Sequence, residues 1–144
     1  MDRQLLMDIC DKIDTDVIEI KYTDIDFGQL SAQARPGVAF PCVLVDTSYT
    51  KCEDATGKDQ QVTATISVRV AFQAFGVTHT GSLDRSAALA AFETLRKVHK
   101  ALQGWDNSGD FDPMTRTSST TEKRSDGLRV FRLTYQASFI DQFE

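Results

Sequence analysis

The sequence is poor in the groups that most often do chemistry: it holds two histidines, three cysteines and one tryptophan among 144 residues. Cys10, Cys42 and Cys52 are odd in number and form no CxxC pair, which suits neither a disulfide framework nor a zinc knuckle. They read as free thiols, Cys10 and Cys42 at packing positions and Cys52 less defined, with a Cys42–Cys52 bridge across a hairpin left open. Long apolar runs are missing too. Nothing approaches the ~18–20 residues that span a bilayer, and Met1–Asp14 lacks the basic start and unbroken apolar middle of a signal peptide. The expectation is a soluble chain made in the cytoplasm, with no membrane contact. Internal repeats, low-complexity tracts and a second composition regime are also absent, so one α+β domain over residues 1–144 is expected.

A basic stripe is the next absence. The net charge is −5, and it is unevenly placed: residues 1–60 hold six Lys/Arg against twelve Asp/Glu, residues 61–144 ten against nine. Affinity for phosphates comes mainly from clustered Lys and Arg. Arg96, Lys97 and Lys100 near a helix end, and Lys123 with Arg124 in a turn, are too few for that and read as solvated surface charge. A dedicated nucleic-acid binder is excluded on this ground.

What is present is the material of a core: 41% hydrophobic residues, with nine Phe and three Tyr spread among regularly spaced aliphatics. Leu5, Leu6, Ile9 and Ile13 recur at helical spacing over Arg3–Asp14. Val17–Tyr22 reads as extended, Thr23–Arg35 as a polar stretch punctuated by Pro36-Gly37, and Val38–Asp46 as a buried strand with an edge or bulge at Pro41. Thr47–Gln61 reads as a long loop or frayed hairpin end. From Val62 to Ala74 apolar and polar residues alternate with period two. At about 3.3 Å per residue this strand reaches ~40 Å, so part of it is expected to project and meet a neighbouring subunit.

Ser82 is a candidate N-cap, with Asp84 in the first turn, for a helix whose apolar stripe is Ala88, Phe92, Leu95, Val98 or His99, and Leu102, stopped by Gly104. Trp105–Pro113 reads as a loop, Met114–Thr121 as a strand, Ser125–Gly127 as a tight turn, and Phe131–Phe139 as a strand with its odd-numbered residues on one face. The implied fold is α+β: an antiparallel sheet of four or more strands with two helices packed on one face, a two-layer sandwich.

Candidate chemistry is thin. Ala55–Lys58 has no glycine where a phosphate-cradling loop needs one, and it precedes a strand. Asp24-x-Asp26 offers two oxygens for a hard cation without a third or fourth nearby, so a solvated acidic loop is the better reading. His79 with Ser82 and Asp84 forms no strained nucleophile elbow. No catalytic, cofactor-binding or metal-binding residue is assigned.

Four segments nevertheless carry a resemblance. They are the N-terminal amphipathic helix; Phe40–Val45; the strand Thr65–Phe72 followed by a helix ending in Leu102-Gln103-Gly104-Trp105; and the closing hairpin with Arg116, Asp126–Phe131 and Phe139–Asp141. Their layout resembles that of the tail terminator and tail-completion (neck) proteins of long-tailed, lambda-like bacteriophages and prophages. Thr23–Leu30 and Ser48–Gln61 fit the pattern least well. The resemblance implies a virion structural protein at the tail neck, assembling with itself as a ring, commonly a hexamer, at the head-proximal end of the tail tube. There it would end tube polymerisation and join the tail to a head connector or stopper. Its partners would be its own copies, the tail tube protein and the connector, with DNA only as passing, repelled cargo; it would need no cofactor and would not be an enzyme. Candidate subunit or neck contacts are Tyr49, Lys51, Lys58, Arg69, Trp105, Phe111 and Arg116. The competing readings are another α+β adaptor, taking a partner strand at the edge near Pro41, and a small enzyme using His79 or His99 with Asp24, Asp26 or Asp46.

Overall fold

A computed structural model describes residues 3–31, 37–73, 80–82 and 85–143. Pro36, Ala74, His79 and Asp84, singled out above, lie outside them. The first element is helix α1 (Arg3–Asp16), which buries Leu5, Ile9, Cys10 and Ile13. It is followed by strand β1 (Tyr22–Ile25), a 3₁₀ turn at Gln29–Ser31, β2 (Cys42–Asp54) and β3 (Gln60–Phe72). Helix α2 (Arg85–Leu102), β4 (Thr115–Glu122) and β5 (Arg129–Asp141) complete the order.

The strands form one five-stranded sheet in the order β1-β2-β3-β5-β4. Three pairings are antiparallel and β1 runs parallel to β2, so the sheet is mixed rather than wholly antiparallel. The parallel strand starts at Tyr22 and runs into the polar stretch Thr23–Arg35, pairing with Cys42–Val45. Val17–Tyr22 is not extended through its length. Val17 N donates to Ile13 O and Ile20 N to Val17 O, a turn that buries Val17 and Ile20, three residues apart, and leaves Ile18 in water.

Period two sets the faces. The even positions of β3 from Ala64 to Phe72 share one buried cluster with Val43 and Val45 of β2 and the odd positions Phe131 to Ala137 of β5. Leu5, Ile9 and Ile13 of α1, and Ala91, Val98 and Leu102 of α2, belong to the same cluster. Phe92 meets Phe131 edge-on at 5.5 Å and His99 Nδ1 lies 2.8 Å from the Tyr135 hydroxyl, which pins α2 above β5. Gly104, with φ +76°, ends α2 and donates its N–H to Met114 O. Ser82 does not cap through its side chain: its Oγ is buried without a hydrogen-bond partner, while Arg85 N donates to the Ser82 carbonyl.

The segment Thr47–Gln61 is mostly strand. β2 continues to Asp54, crosses a bulge between Tyr49 and Lys51, and turns back at 55–59. Both faces of its outer half are exposed, so the apolar alternation that marks a strand in sequence is missing there. Pro41 precedes β2, whose first four residues, Cys42–Val45, are paired by β1; the Pro41 carbonyl accepts from Lys21 N, so no free edge exists at that point. Cys42 and Cys52 lie on the same strand ten residues apart, at registers opposite Ala71 and Val62. At about 3.3 Å per residue they are far beyond the ~7 Å Cα limit of a disulfide, and all three thiols are free. Burial pushes the Cys10 and Cys42 thiols up to about 11, as expected of packing residues.

Candidate functional site

The odd positions of β3 face away from the helices, and here the sheet carries two unlike surfaces. One is an ion cluster built on Arg69, opposite Leu44 of β2 and Arg132 of β5. Arg69 is 8% exposed. Its Nε and Nη2 donate to the two carboxylate oxygens of Glu122 at 2.8 Å each, and Nη1 donates to Asp26 Oδ2 at 3.0 Å. Glu122 ends β4 and Asp26 follows β1, so one guanidinium on the central strand holds both edge strands, each two strands away. The fork geometry suits this, since arginine pairs carboxylates through two parallel N–H bonds.

Arg69 and Arg132 stand directly opposite each other, a like-charge pair that would repel if left alone. Glu122 resolves it by also accepting from Arg132 Nη2 at 3.1 Å. Hydrogen bonding from Arg69 holds the Glu122 carboxyl below the ordinary carboxylate range. Burial opposes the Arg69 charge, but the bonds to Glu122 and Asp26 outweigh it and hold the guanidinium above its usual value. Arg124 extends the cluster: it pairs with Asp126 and donates to Leu30 O at 2.6 Å, tying the β4–β5 loop to the 3₁₀ turn. That loop spans six residues between Glu122 and Arg129 and is not a two-residue turn. Arg124 is therefore a structural cation and not solvated surface charge. Asp26 is likewise an ion-pair partner, and its other oxygen accepts from Gly28 N. A small apolar cluster of Leu30, Cys42, Leu44, Ala71, Leu128 and Val130 lies on this face as well.

The middle of the face is largely hydroxylated. One rung across four strands reads Ser48, Thr65, Gln136, Thr115; the next toward the cluster reads Asp46, Ser67, Thr134, Ser118. Thr63 and Ser138 face each other beyond, with their hydroxyls 3.3 Å apart. Asp46 is the one charged group in these ten positions, in a chain where 26% of residues are charged.

The contact residues expected from sequence are scattered. Lys51 and Lys58 are exposed on the projecting β2–β3 hairpin, Lys51 paired with Glu53 at 3.1 Å. Tyr49 packs edge-on against Phe139, and Trp105 against Phe111, with the Lys12 ammonium 5.8 Å from the Trp105 ring centre. Phe111 is buried, and Arg69 is consumed by its two carboxylates. Arg116 is exposed on β4, its backbone N–H held by Gln103 Oε1. Sequence reasoning took Asp26 and Arg124 for solvated charge and did not single out Glu122; the one available signal for the cluster was that Arg69 interrupts a strand face otherwise free of charge.

Catalytic geometry does not form around the described histidine. His99 sits on the helix side against Tyr135, where burial and then the nearby Arg116 and Arg96 depress its pKa, whereas Asp26 and Asp46 lie on the other side of the sheet. Among the described residues no group of three His, Cys, Asp or Glu is placed to hold a metal ion, and no helix is long and apolar enough to cross a membrane.

Comparison with known proteins adds the following. A family model described as phage tail terminator protein matches residues 19–142. No curated protein matches the sequence. Among solved structures, a chain of the "Virion of native gene transfer agent (GTA) particle" aligns with a TM-score of 0.47 at 17% identity, covering 92% of this chain and 84% of that one.

Proposed function

We propose a role whose premise is that this chain belongs to the phage tail terminator protein family, the match covering residues 19–142. It is therefore a bacteriophage structural protein, and its place is the virion tail. We infer that it works as a ring of identical subunits, six in the simplest case, seated on the head-proximal end of the tail tube. The ring ends tube polymerisation and offers the surface to which the head connector or stopper docks. It acts by assembly and without catalysis or a cofactor.

The family match carries this reading, and three structural observations support it. Polar side chains that resemble catalytic groups in sequence are occupied structurally, as with Asp26 and His99. The β2–β3 hairpin extends Lys51 and Lys58 beyond the core, suited to a neighbour or a tube subunit. On the sheet face away from the helices Arg69, Arg124 and Arg132 are bound to carboxylates, and the two rungs beside them from Ser48 to Thr115 and from Asp46 to Ser118 carry no cation, so DNA moving past those rungs meets no clustered phosphate-binding site. Tyr49, Lys51, Lys58, Trp105 and Arg116 remain proposed contacts. Arg69 and Phe111 support them from inside the subunit.

The test is tail assembly. Tubes polymerised with the protein present should stop at uniform length and show an extra ring of density at one end by negative-stain microscopy. Tubes that grow equally long with and without it, and bear no ring, would overturn the proposal.

A further inference from the structure

The edge of a sheet exposes a row of backbone N–H and C=O groups, and the two edges here are finished differently. At β1 the outward groups of Ile25 are closed by side chains: its N–H donates to Asp24 Oδ1 and its carbonyl accepts from Gln29 Nε2. β2 runs on past β1 from Asp46, but that stretch is bulged between Tyr49 and Lys51, carries Lys51, Glu53 and Asp54, and donates the Thr47 N–H to Asp46 Oδ1. Charges and bulges of this kind blunt an edge against further pairing. β4 is guarded only at its start, where the Arg116 N–H donates to Gln103 Oε1 beside a bulge. Its residues Thr117–Thr121 contain no charge and no proline, and are exposed on both faces.

Register shows which backbone groups of β4 stay open. The even residues of β5 turn their backbone toward β4, as Ser138 O does in accepting from Asp112 N. Their partners Ser118, Thr120 and Glu122 are therefore bonded within the sheet, while Ser119 and Thr121 between them point N–H and C=O outward. Neither finds a backbone partner there among the described residues. A second β4, antiparallel and centred on Thr120, meets both: Ser119 pairs with Thr121 of the second copy and Thr121 with its Ser119, each pair exchanging two hydrogen bonds. Thr120 then stands opposite itself, and Glu122 and Lys123 fall opposite Ser118 and Thr117. No like charges are opposed.

The helix layer fits the same contact. Phe92 of α2 stands against Phe131, the β5 partner of Thr121, so it lies close to the level of Thr120. Leu89 is one turn earlier on the same helix face. These two side chains are 54% and 52% exposed. In the joined sheet the two α2 helices lie three strand spacings apart, about 14 Å at ~4.8 Å each, which is wider than the roughly 8–10 Å of an ordinary helix pair. Two large apolar side chains from each copy suit a gap of that width. Beneath them β4 presents only Ser119 and Thr121 on the helix side, short enough to leave the space free.

We propose that the β4 edge pairs with the β4 edge of a second copy of this chain across a two-fold axis at Thr120, with Leu89 and Phe92 of both copies covering the seam. The occupant follows from the other edges: with β1 and the outer half of β2 blunted, a copy of this chain lengthens the sheet only through β4 itself. Such a contact joins a patch to its like and ends at a dimer, so it is additional to the contacts of the ring and independent of that reading. The test uses the full chain. Wild type should be dimeric by light scattering at concentrations where Ser119→Lys with Thr121→Lys, which sets lysine against lysine on the helix side, is monomeric with an unchanged circular dichroism spectrum. In a Cys52→Ser background, Thr120→Cys should be cross-linked to a dimer by oxidised glutathione, because the axis brings the two copies of position 120 to about 4.5 Å between Cα atoms. Ser118→Cys, on the same face, should stay uncross-linked: its two copies lie four residues apart along the seam, about 13 Å, beyond the ~7 Å limit of a disulfide. Wild type without a dimer, a lysine variant as dimeric as wild type, or cross-linking no faster through position 120 than through position 118 would each overturn the pairing.

Discussion

The two faces of this sheet are made by alternate residues of the same strands, yet they are held by different physics. On the helix side, Ile66, Val68, Leu133 and Tyr135 are removed from water under α1 and α2. Stability there comes from apolar area and packing, insensitive to salt and only weakly dependent on which aliphatic fills each place. On the other side, one guanidinium and two carboxylates organise the end of the sheet, and mostly hydroxyls line the rungs beside them. Charge gives that face direction: it decides which loop meets which strand. The difference teaches that apolar alternation specifies the sheet, while a single charged residue out of pattern specifies how its edges are placed.

Substitutions that strike one face alone should break or sharpen this contrast. The largest effect is expected for Ile66→Ala, which empties a fully buried central site and should cost about 4 kcal/mol in urea unfolding. Arg69→Ala should follow at about 3 kcal/mol, because it leaves Asp26 and Glu122 partly buried without their cation; water reaching the two carboxylates keeps it below the fully buried case. High salt should shrink the Arg69 effect and leave that of Ile66 unchanged.

Acid should separate the faces in two steps. His99 has its folded pKa depressed, so the unfolded chain binds a proton first and stability falls as pH drops below about 6.5. Glu122 also has a depressed folded pKa. Its contribution is complete above the unfolded carboxylate value of about 4.3 and is lost as pH falls through the lower folded value. Melting temperature against pH should show both descents, His99→Gln removing the upper one and Glu122→Gln the lower. The smallest effect is expected for Thr65→Ala with Thr134→Ala on the hydroxyl face, within about 0.5 kcal/mol by the same unfolding measurement.

Legibility in the sequence followed the same division. Where one face was apolar, as in β3, β5 and α2, periodicity placed the elements within a few residues. The outer half of β2 escaped because Thr50–Asp54 is wet on both sides, and wet strands look like loops. β1 escaped because it is four residues long and depends on a parallel neighbour to exist as a strand at all. The ion cluster was least legible: Asp26, Arg69 and Glu122 are 43 and 53 residues apart, and only the pairing of all five strands brings them together. Chain order signalled the family layout well, since that depends on the sequence of elements and not on such long-range meetings.

The rungs of serine and threonine also bear on the water that lies against them. A carboxylate always accepts and an ammonium always donates, so a charged face imposes a fixed polarity on its first hydration layer. A hydroxyl rotor does both, and can exchange one role for the other by turning about a single bond. Across Ser48, Thr65, Ser67, Thr134 and Ser118 the sheet therefore offers sites for hydrogen bonding without a set sense. Water meeting these hydroxyls can be held in either sense, so a charged polymer passing over them would meet no fixed polarity.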